Sequence, residues 1–380
     1  MFATWARKKE NCEPIGDALK SYQSVFKVKG GIVLKYKINW GVIGSGGIAQ
    51  RRTIPEGIMP AKHAALVAVY DTDVEINNSV AKKFNAKAVF SIQELIDSDI
   101  DAIYVASPVG LHLDHAIACA KGKKHVFCEK PLGISVEEAE RMIQICNHEG
   151  VLLGTAFMMR FLAQHQAGLN IINAGKLGKP VYCRAQLSCW YPPMPGAWRQ
   201  YPGKGGGGAL VDMGSHCIDL LEMFFGEVAK VSCFINNNVH DYQSEDSAIV
   251  SLVFKNGAMG TVDSYFCIPD NSSKNILELY GSKGSIIAKG TIGQGTSGEM
   301  IAYLEDDNSG YNAQQARNAS EGLILNPLPV NTYLAEIEEF SSAILENREP
   351  ENNFARGLHS QKVLAACYQS ARTKKVVEII

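Results

Sequence analysis

The sequence has no excess of either charge: 37 Lys and Arg stand against 39 Asp and Glu in 380 residues. Nucleic-acid binding needs a basic face and a solvated tail needs a charge block, and neither is written here. No apolar run reaches about eighteen residues, so no membrane-spanning helix is expected. The ten cysteines form no CxxC and no paired Cys/His spacing. A zinc site and a disulfide framework are therefore unexpected, and free thiols in a reducing cytoplasm are the simpler reading. Internal repeats and low-complexity tracts are missing too. The opening residues, MFATWARKKENCEP, carry basic side chains with no apolar core behind them, so no signal peptide is expected.

What is present is an ordinary globular composition, 46% hydrophobic and 20% charged. The length exceeds what a single core of about 250–300 residues usually fills, which favours two domains. Residues 1–36 read as an extension without a motif, with a possible short amphipathic helix in DALKSYQSVFKV. From residue 37 to 157, apolar strands alternate with helices: KINWGVIG, AALVAVYD, DAIYVASP, HVFCEKP and VLLGTAF are the strands. Ser135, three residues before Glu138, opens one helix as a capping box, and Gly150 closes it. That alternation means a parallel sheet with helices on both faces. Residues 158–380 change grammar. Consecutive β-rich segments from VAKVSCFIN to MIAYLED follow, and turns such as Asn256-Gly257 make antiparallel hairpins. A patternless loop runs from about 308 to 331, before two final helices.

Gly44-Ser-Gly46-Gly47-Ile48-Ala49 follows the first strand and opens a helix. This is a GxGxxA dinucleotide fingerprint. Gly44 permits the tight turn, Gly46 removes the Cβ that would block a pyrophosphate, and Ala49 lets helix and strand pack closely. The phosphates would meet free N–H groups at the positive helix end. Asp71 ends the next strand and can accept both ribose hydroxyls while repelling a 2′-phosphate, which favours NAD. Arg51 and Arg52 begin the first helix and keep NADP possible.

The stretch GGGGALVDMGSHCID, residues 205–219, places Asp212, His216 and Asp219 on one helical face after four glycines. An acid and an imidazole there are a possible proton-handling pair. They are equally the pattern of a buried His held by two carboxylates. A metal site from the same three groups is chemically conceivable.

GSGGIA, DAIYVASPVGLH, GKKHVFCEKPL and GGGGALVDMGSHCIDL, in this order and spacing, resemble the glucose-fructose oxidoreductase / inositol 2-dehydrogenase / rhizopine-catabolism (Gfo/Idh/MocA) family. The likeness covers about residues 37–380 and includes the late YLAEIEEFSSAI helix. It implies an α/β chain: an N-terminal Rossmann domain, then an α+β domain with a large open, mostly antiparallel sheet for substrate binding and oligomerisation. It implies C-terminal helices packing back toward the Rossmann domain, and NAD(P)-dependent oxidation of sugars, inositols or polyols, often by homodimers or homotetramers. Carried residue by residue, the catalytic group is Lys130, Asp212 and His216. Glu129 and Lys130 lie beside the nicotinamide ribose, and Ser107, Pro108 and His112 beside the cofactor's middle. Val109 departs from the Asn common at its position. No metal is needed.

On this reading His216 is the base and Asp212 fixes its tautomer or holds the substrate hydroxyl. Lys130 stabilises charge on the reacting oxygen. The glycines let substrate and nicotinamide approach the helix. Arg160, Trp198 and Arg199 are candidate substrate contacts, Trp190 and Tyr191 lie nearby, and Asp219 is structural. Two other functions share the fold: a redox-neutral NAD-dependent glycosidase and a non-catalytic cofactor-sensing regulator. The intact Lys130, Asp212 and His216 argue against the regulator.

Overall fold

The computed structural model describes residues 36–305 and 321–380, together with the backbone of two strands, β1 (Val25–Val28) and β2 (Gly31–Leu34). These two pair antiparallel. The helix expected over residues 17–28 therefore does not reach its last four residues, which are a strand; its remainder lies outside the described residues.

Six strands form a parallel sheet: β3 (Ile38–Ile43), β4 (Ala64–Tyr70), β5 (Lys87–Ala88), β6 (Ala102–Val105), β7 (His125–Cys128) and β8 (Leu153–Thr155). Their order is β5-β4-β3-β6-β7-β8. The direction of winding reverses between β3 and β6, and ligands bind at the carboxyl ends of strands beside such a reversal. Both loops that leave those ends carry sequence-predicted site residues, Gly44–Ala49 after β3 and Ser107 after β6. The central strands are mostly apolar because helices cover both faces; all four residues of β6 are buried. Ser135 caps its helix by accepting from the Glu138 N–H at 3.3 Å, and Gly150 ends it at φ 69°.

The second sheet has nine strands: β9 (Pro180–Ser188), β10 (Val228–Asn236), β11 (Ser247–Phe254), β12 (Met259–Tyr265), β13 (Ile276–Gly281), β14 (Gly284–Lys289), β15 (Glu299–Leu304), β16 (Leu323–Ile324) and β17 (Val377–Glu378). Its order is β16-β15-β14-β13-β9-β12-β11-β10-β17, and only the β9–β12 pair is parallel. Alternation decides which face is covered. In β11, Ala248, Val250, Leu252 and Phe254 are buried, while Ile249, Ser251 and Val253 face outward.

Two C-terminal helices, Thr332–Glu346 and Phe354–Thr373, join the sheets. Ile337 and Phe340 enter the first-domain core with Trp40 and Phe127. The Phe127 and Phe340 rings lie 5.0 Å apart, and the Trp40 Nε1 donates to Ser341 Oγ at 3.1 Å. Such ring pairs are worth roughly 0.5–1.5 kcal/mol beyond their burial. At the other end of the second helix, Ser370 Oγ accepts from the Cys233 N–H of β10 at 3.0 Å. The reversal point of the first sheet is thereby held against the covered face of the second.

Candidate active site

Gly44 has φ +79°, and a Cβ there would stand 2.7 Å from the backbone of Ala106 and Ser107. Only glycine makes that turn without displacing the neighbouring strand end. The Gly46 N–H donates to Asp71 Oδ2 at 3.0 Å, and Asp71 Oδ1 accepts from the Asp73 N–H at 3.0 Å. The acid is thus fixed beside the loop. The helix that follows is wound wide, in π form, over Ala49–Ile58; it has no acid in its first turn and carries Pro55 inside. Ala49 is fully buried under β3.

From this loop a cavity of about 470 Å³ runs between the two sheets. Its wall includes Gly47, Ile48, Ser107, His112, Glu129, Lys130, Trp198, Arg199, Asp212 and His216. Gly44, Gly46, Ala49, Asp71 and Pro108 lie outside that wall, the first four shaping the loop and its flank. Val109, the departure noted in the sequence, is in the wall, and so is Arg51.

Lys130 comes from the end of β7, and Asp212 and His216 from the element after the glycine run. Asp212 sits in a π-type turn, Leu210–Gly214, that feeds the helix Ser215–Phe225. The Lys130 Nζ donates to the Asp212 carbonyl at 2.7 Å and to its Oδ1 at 3.0 Å. Arg199 Nε is 3.1 Å from the same Oδ1, and its guanidinium stacks on Trp198 at 4.2 Å. Burial works against the Asp212 carboxylate, but Arg199 and Lys130 outweigh it and hold its pKa well below the usual carboxylate range. Asp212 therefore orients the lysine rather than the imidazole. The His216 Nδ1 is buried with no hydrogen-bond partner among the described residues, and Phe157 meets its ring edge-on at 6.3 Å. Burial, with the Lys130 charge, pushes the His216 pKa well below that of a free imidazole, against the pull of Asp212. At neutral pH this is an uncharged base.

Arg160 does not join this group. It is buried away from the cavity and clamps Asp219, with Nε–Oδ2 at 2.8 Å and Nη2–Oδ1 at 2.7 Å. Its expected contact with substrate gives way to a structural ion pair, because the buried Asp219 carboxylate takes up its guanidinium. His112 is buried, with Nδ1 2.9 Å from the Pro131 carbonyl and Nε2 2.8 Å from the Ser107 carbonyl. Burial pushes its pKa down to about 4, so the neutral ring donates to one of the two and braces the loop.

The glycine run serves a different purpose from the one expected of it. None of Gly205–Gly208 lines the cavity. A Cβ on Gly207, at φ +159°, would lie 1.8 Å from the Tyr368 hydroxyl, and one on Gly208 would lie 2.0 Å from the Glu245 carbonyl oxygen. Glu245, buried, accepts from the Gly208 and Leu210 N–H groups and from the Tyr368 hydroxyl, at 2.9, 3.0 and 2.8 Å. The glycines make room for this clamp, which holds the turn bearing Asp212. Sequence reading missed Glu245, which looks like a solvated residue of the SEDS loop. It also missed Tyr333 and Glu336, which enter the wall from the Thr332–Glu346 helix.

The residues present fit a nicotinamide dinucleotide. A bare glycine loop stands at a helix start free of acids, a carboxylate waits at the next strand end, and the cavity leads to an acid–base group. A two-domain oxidoreductase is the class that this fold and this site define.

Residues 38–157 match the family model described as "Oxidoreductase family, NAD-binding Rossmann fold", and residues 170–379 match "Oxidoreductase family, C-terminal alpha/beta domain". The chain belongs to the Gfo/Idh/MocA oxidoreductase family. It is 28% identical to 1,5-anhydro-D-fructose reductase of Ensifer adhaerens across 90% of this chain and 98% of that one. It is 32% identical to myo-inositol 2-dehydrogenase of Thermotoga maritima across 65% of this chain and 74% of the other. Among solved structures it resembles an aldose-aldose oxidoreductase from Caulobacter crescentus complexed with glycerol. The TM-score is 0.80, with 24% identity over 90% of this chain and 99% of that one.

Proposed function

We propose that the protein transfers a hydride between NAD and a secondary alcohol of a sugar, inositol or related polyol. The observation that carries this reading is the convergence of the Lys130 amino group, the Asp212 carboxylate and the His216 imidazole on one cavity that begins at the dinucleotide loop. Of the relatives matched over 90% of this chain, one is a 1,5-anhydro-D-fructose reductase and another a D-xylose 1-dehydrogenase, and a shorter match is a myo-inositol 2-dehydrogenase.

The bound nicotinamide supplies the hydride acceptor. The protein supplies the rest. Neutral His216 takes the hydroxyl proton, and Lys130, steered by the Asp212 carbonyl and carboxylate, donates to the oxygen as it gains negative charge. Arg199, paired with Asp212 and backed by Trp198, offers its remaining donors to the substrate. Asp71 favours NAD, since the nearby cations are engaged elsewhere. Arg51 Nε donates to the Gly47 carbonyl at 3.1 Å, and Arg52 pairs with Glu56 at 3.1 Å.

The test is NADH formation with a panel of sugars, inositols and other polyols, run in parallel with NADP. Replacing His216 or Lys130 by Ala should lower kcat by roughly 10²–10⁴-fold while NAD still binds. Free sugar released without net NADH would favour the glycosidase instead, and a clear NADP preference would remove Asp71 from its role.

We further propose a cytoplasmic homo-oligomer. The nine described cysteines are all free, as a reducing compartment keeps them. The outer face of the nine-stranded sheet pairs Phe234 with Ile249 and Val253 with Met259, all exposed. Exposed apolar rows of this kind are the usual material of an interface between copies.

A further inference from the structure

One wall of the cavity has no task in the mechanism above. Glu336 faces it from the Thr332–Glu346 helix with only 2% of its surface exposed, and its Oε2 is buried with no hydrogen-bond partner among the described residues. The flanking Ile337 and the nearby Phe340 complete an apolar stripe in the core. A carboxyl buried in that setting is costly when nothing pairs with it, and an apolar side chain would pack there without the cost. An acid kept in such a place is matched to a partner that arrives through the cavity.

The neighbours narrow down that partner. Glu129, the other carboxyl on this side, already accepts from the Tyr104 hydroxyl and the Lys130 N–H. Burial, and after it the Glu129 charge, push the Glu336 pKa well above the usual carboxylate range, and the Tyr104 and Tyr333 hydroxyls, raised first by burial, also feel both acids. Glu336 enters the wall from the Thr332–Glu346 helix, whereas Lys130 follows β7 and His216 stands on the Ser215–Phe225 helix, so the carboxyl faces the cavity from a different element than the pair that receives the alcohol. On the dinucleotide reading given above, the nicotinamide half fills this end of the cavity. Its carboxamide is the one group on the ring that offers N–H donors, and it stands on the ring's edge, where an orienting contact decides which ring face meets the substrate.

We propose that Glu336 is a cofactor-positioning residue, whose unpartnered carboxyl accepts a hydrogen bond from the carboxamide N–H of the nicotinamide and so sets the ring against Lys130 and His216. The inference rests on the proposed function, and the experiment separates the two. Binding of NAD⁺ and of its 3-acetylpyridine analogue, which carries a methyl ketone without N–H, is measured by calorimetry on the full-length wild type, E336Q and E336L.

The wild type should hold NAD⁺ about tenfold more tightly than the analogue, the size of one hydrogen bond to a carboxyl. E336L should bind both alike, with the ratio collapsed to about one, and E336Q, which keeps an acceptor, should retain most of it. A wild-type ratio near one overturns the proposal whatever the variants do, and so does a ratio unchanged in E336L. Should E336L fail to fold, E336A takes its place on the same criterion. A wild type that binds neither dinucleotide sinks the dehydrogenase reading itself.

Discussion

His216 stands among opposing influences whose balance sets its chemistry. Burial and the Lys130 ammonium disfavour the imidazolium, Asp212 favours it, and the result lies well below the ordinary value of 6.5. A base works unprotonated, so lowering its pKa extends activity toward acid. For alcohol oxidation, kcat/KM should stay level from neutrality down past pH 6.5 and fall only below it. A pH profile whose acid limb is centred at or above that value would exclude His216 as the base.

The Arg160–Asp219 pair illustrates a residue whose type was legible while its partner was not. An arginine shortly after the cofactor domain has the chemistry of a substrate contact, and nothing local says that Asp219, 59 residues on, will claim it. Removing one partner strands a buried charge. Asp219→Ala should cost roughly 3–5 kcal/mol in denaturant unfolding and leave the affinity for NAD intact in the folded fraction. An unchanged midpoint would mean that the pair carries no structural weight.

At the scale of elements, period and punctuation carried far. Alternating strands and helices, the Ser135 cap, the Gly150 stop and the Asn256-Gly257 hairpin all stand where the pattern placed them, because each depends on local backbone preference. Elements whose form depends on distant contacts did not read out. The π-type turn at Leu210–Gly214 and the Glu245–Tyr368 clamp come from segments that meet only in the fold. The glycine run belongs to this clamp. Gly208→Ala, with its new Cβ directed at the Glu245 carbonyl, should lower stability by roughly 1–3 kcal/mol or more and disturb the Asp212–Lys130 contact, lowering kcat along with the thermal midpoint. A variant of wild-type stability and rate would show that the clamp is slack.

Across the whole molecule, the two sheets differ in what their outer surfaces must do. The parallel sheet is covered on both faces, in part by the Thr332–Glu346 helix. The nine-stranded sheet covers one face with helices and leaves the other with Phe234, Ile249, Val253 and Met259 in the open. Charged replacements at Phe234 and Ile249, a cross-strand pair, should convert an oligomer to single chains in sedimentation experiments. Sedimentation of the wild type as a single chain would end the oligomer proposal.

The bond between Trp40 and Ser341 spans 301 residues of sequence, and Phe340 beside it fills the same first-domain core. Contacts this distant mean that the first-domain core is complete only once residues 332–346 have been made. While the polypeptide emerges, the nucleotide-binding half lacks a wall until its final helices have cleared the ribosome tunnel, and its large aromatic side chains stay uncovered meanwhile. The first half to be made therefore finishes its core only after the Thr332–Glu346 helix has joined it, later than a self-sufficient Rossmann unit would.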